Sequence, residues 1–356
     1  MLALLALSVF LLFQLRPLWL LLLDAAFLAF VFTQLAYIIH DAGHRQILGS
    51  PRQNDIVMLL VGGLVGSSRS WWFESHNRHH SEPNNLDLDP NVALPILAFS
   101  EQQARERQGL LRMVTRFQAY YFFPLLTLEA LGVRVAGIRG LLTGKSTYPL
   151  AEALGIGLHL LLYAALLFSA LPVGQALLFI LVNQGLAGLY MGLVFAPNHK
   201  GMLVADPANR LDFLQRQILS SRNIKPSPLV DFLYGGLNYQ IEHHLFPTIP
   251  QNKLHAARTV VREFCDELSI PYHETSVGQA YWEVARYFHR MAAPLRQQRS
   301  TSEGVDVRGR LLRPADEIVT LAATHVERVE VASEPGPNVL GEREATSSPG
   351  LGRPAY

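Results

Sequence analysis

Long apolar runs alternate with polar, arginine-rich stretches along this chain. A helix needs ~20 apolar residues to cross a bilayer core. Residues 18–39, 149–170 and 173–195 form runs of about that length. The run 2–15 is shorter, but Arg16-Pro17 interrupts it and a second apolar run resumes at once. This predicts a short span, a tight turn and a return span. The pattern therefore predicts an all-α integral membrane protein with four transmembrane helices in two hairpins: about 2–15 with 18–39, and 149–170 with 173–195. No basic residue precedes the first run and no small-x-small site follows it, so it reads as a span and not as a secretory signal. Residues 56–66 are too short to cross and end in glycine and serine, which predicts a re-entrant or interfacial segment. Residues 119–131 form an aromatic patch containing Pro124 and Glu129. That patch predicts a helix lying on the membrane surface, with a buried helix as the other reading.

Charge gives the spans an orientation. The linker Leu171-Pro172 is uncharged, whereas arginines crowd the segment between the hairpins, among them Arg45, Arg69, Arg78, Arg105, Arg116 and Arg139. Cytoplasmic loops carry excess Lys and Arg, which places this segment and both termini in the cytoplasm. Residues 198–291 then read as a cytoplasmic extension of a membrane domain covering 1–291. Pro, Ser, Gly, Glu and Arg dominate 292–356, which predicts a largely disordered C-terminal tail with a short helix around 315–330. The net charge of +1 gives no reason to expect a nucleic-acid partner.

One cysteine, Cys265, excludes an internal disulfide, a CxxC zinc site and a cysteine-ligated iron–sulfur cluster. The chain has 13 histidines, and many lie just outside the apolar runs. His40 and His44 are four apart, a spacing that puts both imidazoles on one helical face. Asp41 follows the first of them, so the pair is not a zinc-peptidase motif, whose base is a glutamate. His76, His79 and His80 repeat the one-face spacing, as do Gln240, His243 and His244. A solvated histidine-rich turn explains one cluster, but a shared site explains three on the same side of the membrane better. His199 lies just past the last span, either as a further ligand or as an interfacial histidine bonded to lipid or backbone. His159, inside a span, reads as a neutral histidine bonded between helices. His255, His273, His289 and His325 read as surface residues. Seven clustered histidines, eight with His199, exceed the four ligands of structural zinc and suit two metals. Imidazole suits iron, copper or zinc.

His40-Asp-Ala-Gly-His44, His76-Asn-Arg-His-His80 and Gln240-Ile-Glu-His-His244, in this order around two span pairs, resemble the membrane fatty-acid desaturase family. The Gln-x-x-His-His form is similar to its front-end and omega-type members. The resemblance implies a helical cytoplasmic cap holding two iron ions, with O2 as co-substrate and an acyl chain, CoA- or lipid-linked, as substrate. It also implies electrons from an external carrier, such as a ferredoxin or a cytochrome with its reductase. Carried over by position, the ligands and catalytic residues are His40, His44, His76, His79, His80, His199, His243 and His244. Gln240 stands where other members have a further histidine. It would ligate, bond a water on the metal, or only support its neighbours. Asp41 and Glu242 are placed to orient ligating histidines. Asp87 and Asp89 share that reading with loop capping, and Trp71 and Trp72 line the substrate path or anchor at the interface. The arginine-rich segment would dock the acidic carrier or simply follow the positive-inside rule. The sequence contains no HPGG haem motif. The expected activity is formation of a cis double bond in an acyl chain. The rivals are a related di-iron hydroxylase or ketolase, and a non-catalytic membrane protein binding metal or haem.

Overall fold

The structure, a computed structural model, describes residues 1–205 and 211–297. Among these residues nearly all regular structure is helical. The exception is a two-stranded parallel pair, Asn223–Ile224 against Glu274–Thr275. The predicted tail lies outside the described residues except at its start. There Ala293–Gln297 forms a helix, and Leu295 packs with Ala98 and Ala104.

Pro17, with its fixed φ, starts the Leu18–Gly43 helix. That helix runs past the apolar stretch and takes in His40, while His44 is its C-terminal cap. Leu18–Gly43, Gln118–Leu142, Pro149–Ala170 and Val173–His199 are long and apolar enough to cross a membrane, whereas Leu2–Gln14 is a shorter apolar helix. The helices add to the reading of sequence at two places. Leu2–Gln14 has 13 residues, fewer than the ~20 of an ordinary crossing. The aromatic patch at 119–131 is part of a 25-residue helical run, because a 3-10 turn at Leu126–Leu128 carries the chain past Pro124. Arg134 within that run donates from Nη1 to Gln184 Oε1 and from Nη2 to Val65 O, while its Nε is buried without a partner. Pro51–Val65 and Arg69–Ser81 are bent against each other by 110° at Gly66, whose φ is +72°. Only a residue without a Cβ takes that conformation freely.

Leu28, Val31, Phe32 and Leu35 pack with Leu167 and Phe179 to form the core between the long helices. Asn183 is fully buried among them and ties three helices, donating to Ala25 O and accepting from Tyr163 OH. The outer faces are apolar as well. Leu150, Leu154, Leu158 and Leu161 are exposed along one side of Pro149–Ala170, as a lipid-facing surface requires. Val173–His199 meets the Leu126–Leu128 turn through Gly188, where a Cβ would lie 2.7 Å from Thr127 O and 2.9 Å from Leu126 O.

The remaining helices cap one end of this bundle. Arg222, fully buried, donates from Nε to Pro197 O in the last turn of Val173–His199 and pairs with Glu283 of Val277–Met291. The cap is thereby fastened to the helix end that carries His199. Gly188→Val should force the two backbones apart and cost about 1–3 kcal/mol by overpacking. The detergent-solubilised variant should melt at a lower temperature; an unchanged melting temperature would show that the crossing is looser than described.

Candidate metal centre

Four chain segments converge on one buried volume. His40 and His44 end the Leu18–Gly43 helix, and His76, His79 and His80 lie on Arg69–Ser81. His199 is the last residue of Val173–His199, while His243 and His244 sit on the short helix Gln240–Leu245. The ligand nitrogens of His40, His44, His76 and His243 all lie within 4.8 Å of one another, and so do those of His79, His199 and His244. His80 stands between the groups. Its Nε2 is 3.0 Å from His76 Nε2, and its ring stacks on His244 with centroids 4.2 Å apart. All eight sequence-predicted histidines therefore meet at one place. His159 does not; its Nδ1 donates to Leu64 O.

The hydrogen bonds determine which nitrogen faces inward. A carbonyl oxygen only accepts, so an imidazole nitrogen beside one carries the proton. His199 Nδ1 donates to Ser220 O at 3.0 Å. His244 Nδ1 donates to Gln217 Oε1 at 2.9 Å, and the amide of Gln217 is held that way round because its Nε2 donates to His80 O. His79 Nδ1 faces Asp89 Oδ2 at 2.9 Å, and the same oxygen accepts from Asn84 N. With these protons on Nδ1, the Nε2 atoms of His79, His199 and His244 are bare. They nonetheless lie 3.2 Å apart in two pairs, His79 with His199 and His199 with His244. In the other group, Nε2 of His40 and of His243 are buried without a hydrogen-bond partner. A buried polar atom left unpaired costs about 1–3 kcal/mol. Lone pairs aimed at one another in a buried space fit a cation at their centre, and imidazole nitrogen is the donor type that iron takes.

Burial also sets the charge of the rings. It pushes the pKa of His44, His243 and His244 well below the ordinary value of 6.5, and neighbouring imidazoles add to the effect. Neutral imidazole is the form that binds metal. Asp89 stays ionised: despite burial, His79 and Lys200 hold its carboxyl well below the usual range.

The supporting residues divide. Asp41 Oδ1 lies 3.2 Å from His40 Nδ1. Glu242, expected beside a histidine, instead accepts from Asn223 Nδ2 and Tyr272 OH. One residue along a helix turns a side chain by about 100°, so Glu242 points away from the neighbouring His243. It anchors its helix, since Asn223 Oδ1 accepts from Ile241 N. Asp89 caps its loop and holds His79 at once, whereas Asp87 is exposed. Trp72 stacks on His76 at 4.3 Å and lies flat on Gly43, where a Cβ would collide with its ring. Sequence reasoning missed several clamps. Glu152 accepts from Ser68 Oγ, Ser70 Oγ and Ser70 N at the start of Arg69–Ser81. Asp55 pairs with Arg45 and Arg69 and so links the ends of two histidine-bearing helices. Asn84 Nδ2 donates to His199 O and Ser220 O. Nothing in their spacing distinguishes these from ordinary polar residues.

The sign of the pH response follows from the depressed imidazoles. Below about pH 6.5 the unfolded chain takes up protons that the buried rings refuse, so stability falls as pH falls. The melting temperature should drop between pH 7 and pH 5; a rise over that interval would contradict the neutral, buried assignment.

Comparison with known proteins agrees with this geometry. The family described as fatty acid desaturase matches residues 17–276, a stretch that includes all eight histidines. A delta(8)-fatty-acid desaturase of Euglena gracilis is 32% identical over 286 residues, covering 76% of this chain and 68% of that protein. An acyl-lipid (9-3)-desaturase of Physcomitrium patens is 30% identical, covering 78% of this chain and 55% of that protein. A delta(6)-fatty-acid desaturase of Caenorhabditis elegans is 30% identical, with coverages of 80% and 66%. The chain thus spans between 55% and 68% of the length of these relatives. The match over most of the chain, with the histidine motifs inside it, shows that this protein belongs to the fatty acid desaturase family.

Proposed function

We propose that this chain is an oxygen-dependent fatty-acyl desaturase that introduces a cis double bond through a histidine-held pair of irons. The observation that carries the proposal is the convergence of two groups of largely buried imidazoles whose ring nitrogens face one another. His40, His44, His76 and His243 would hold one iron, His79, His199 and His244 the other, with His80 between them. When bound, the pair supplies activation of molecular oxygen for hydrogen removal from an unactivated methylene. The overall reaction takes two hydrogens from adjacent carbons and, with O2, two external electrons and two protons, forms the double bond and two waters.

The chain's own contribution is placement. Asp89, Ser220 O and Gln217 fix the Nδ1 protons of His79, His199 and His244 and so keep Nε2 free for metal. Glu152 and Asp55 hold the ends of the helices that carry the motifs. Trp72 covers one face of the His76 ring. The substrate would be an acyl chain carried on CoA or lipid, entering from the membrane. Electrons would come from a carrier such as a ferredoxin or a cytochrome with its reductase, since one cysteine cannot hold an iron–sulfur cluster.

The membrane arrangement follows by parity. Leu18–Gly43 and Val173–His199 both end at the histidines, so their C-terminal ends share a face. The excess of Arg and Lys on the connecting segment makes that face cytoplasmic, and with Leu2–Gln14 crossing as a short span both termini lie there as well. Gln118–Leu142 begins and ends near this face. Gln118 donates to Phe288 O in the cap, and Lys145, just past the other end, pairs with Glu74 beside the histidine motif. We therefore place that helix along the membrane surface, not across it. The bent Pro51–Val65 and Arg69–Ser81 pair enters and returns.

Expression in a host of defined lipid profile, with mass spectrometry of its acyl chains, tests the reaction. Loss of two hydrogens with a new double bond is expected; gain of one oxygen would make the chain a hydroxylase. His79→Ala or His243→Ala should abolish product while membrane levels hold, and retained product in either would overturn the site. Asp89→Leu, which removes the support of His79 together with the cap of its loop, should reduce activity or metal affinity by roughly 10–100-fold.

A further inference from the structure

Gln240 is the one member of the third motif that is not a histidine, and its orientation is fixed by a chain of hydrogen bonds. Asn198, fully buried, donates from Nδ2 to Leu237 O at 2.9 Å and to Gln240 Oε1 at 2.9 Å. A backbone carbonyl only accepts, so Leu237 O sets which end of the Asn198 amide faces this side. The Asn198 amide in turn sets Gln240. With Oε1 engaged by Asn198, the NH2 group of Gln240 points into the site, where Nε2 lies 2.9 Å from His199 Nε2. His199 is protonated on Nδ1, toward Ser220 O, so its Nε2 accepts from Gln240. Gln240 itself is 6% exposed and His199 5%.

We infer that Gln240 is not a ligand of the three-histidine metal but an N–H donor aimed at the small oxygen or nitrogen ligand that completes its coordination. This rests on the proposed metal centre. A metal at His79, His199 and His244 takes the lone pair that Gln240 now bonds. The amide NH2 then loses its acceptor while remaining beside the metal, and the oxygen needed for ligation stays turned away by Asn198. A donor held at that point stabilises negative charge on a small anion or on reduced oxygen. A histidine at the same position would offer a nitrogen lone pair to the metal instead. The Gln-x-x-His-His form therefore gives one of the two metals fewer protein ligands and a more accessible position. Gln240 is thus a positioning residue for the small ligand.

The test uses the purified, iron-loaded full chain, elemental analysis for iron, and optical titration with azide, an anion that fills an open position on ferric iron. Gln240→Met removes the donor at similar size. It should keep the wild-type iron content and weaken azide binding by about tenfold, the loss of one charge-assisted hydrogen bond. Asn198→Asp replaces the donor that locks Gln240 by an acceptor and should turn the amide around. It should weaken azide similarly with Gln240 intact, and it should add nothing in the Gln240→Met background. Loss of one iron from Gln240→Met would make Gln240 a ligand and overturn the inference. Unchanged azide affinity in either single variant would overturn it as well. Absence of an iron pair from the wild-type chain would instead remove the metal centre on which the inference depends.

Discussion

Bare imidazole nitrogens facing one another in a buried space are the constraint around which this fold is arranged. Three Nε2 atoms meet with their protons held on the opposite nitrogen, and two more, on His40 and His243, have no partner. At about 1–3 kcal/mol for each unpaired buried atom, such a cluster uses several kcal/mol. A domain has only about 5–15 kcal/mol of net stability. A packed protein holds this arrangement only if the surrounding structure imposes it, and the geometry would become favourable with cations in the two groups.

The imposition comes from three kinds of contact. Helix ends deliver the rings: the long apolar helices stop where His44 and His199 stand, so their membrane-embedded lengths fix the depth of the site. Acceptors on the far side of each ring then choose the tautomer, as Asp89, Ser220 O and Gln217 do for the three-histidine group. Buried charges tie the helix ends to one another. Glu152 takes up three donors at the start of Arg69–Ser81, Asp55 bridges Arg45 and Arg69, and Arg222 binds the carbonyls at the end of Val173–His199. Removing one partner of such a buried pair leaves an uncompensated charge, which is why these positions matter despite lying outside the site.

The histidines were legible in the sequence because their signal is local. Offsets of three and four place rings on one face whatever the rest of the chain does, and apolar runs of spanning length show which ends they sit beside. Gln240 was visible as a departure from its motif, but its polarity was not, since it depends on Asn198 and Leu237 O across the fold. Glu242 misled for the same reason: adjacency to His243 in sequence becomes an opposite direction on a helix, toward Asn223 and Tyr272. Gln217, Asn84 and Glu152 carry no spacing signal because each acts through a contact more than 25 residues away in sequence. The aromatic patch at 119–131 marked only part of the helical run Gln118–Leu142, which passes Pro124 with a 3-10 turn at Leu126–Leu128.

The claim on which the account depends is that the two histidine groups are separate metal sites. Metal content per chain, measured on the purified membrane protein and on His40→Ala and His79→Ala variants, tests it most directly. The account predicts two irons in the parent chain and the loss of one in each variant, with the folded helical content retained. A parent chain holding a single metal, or two irons surviving in both variants, would contradict it.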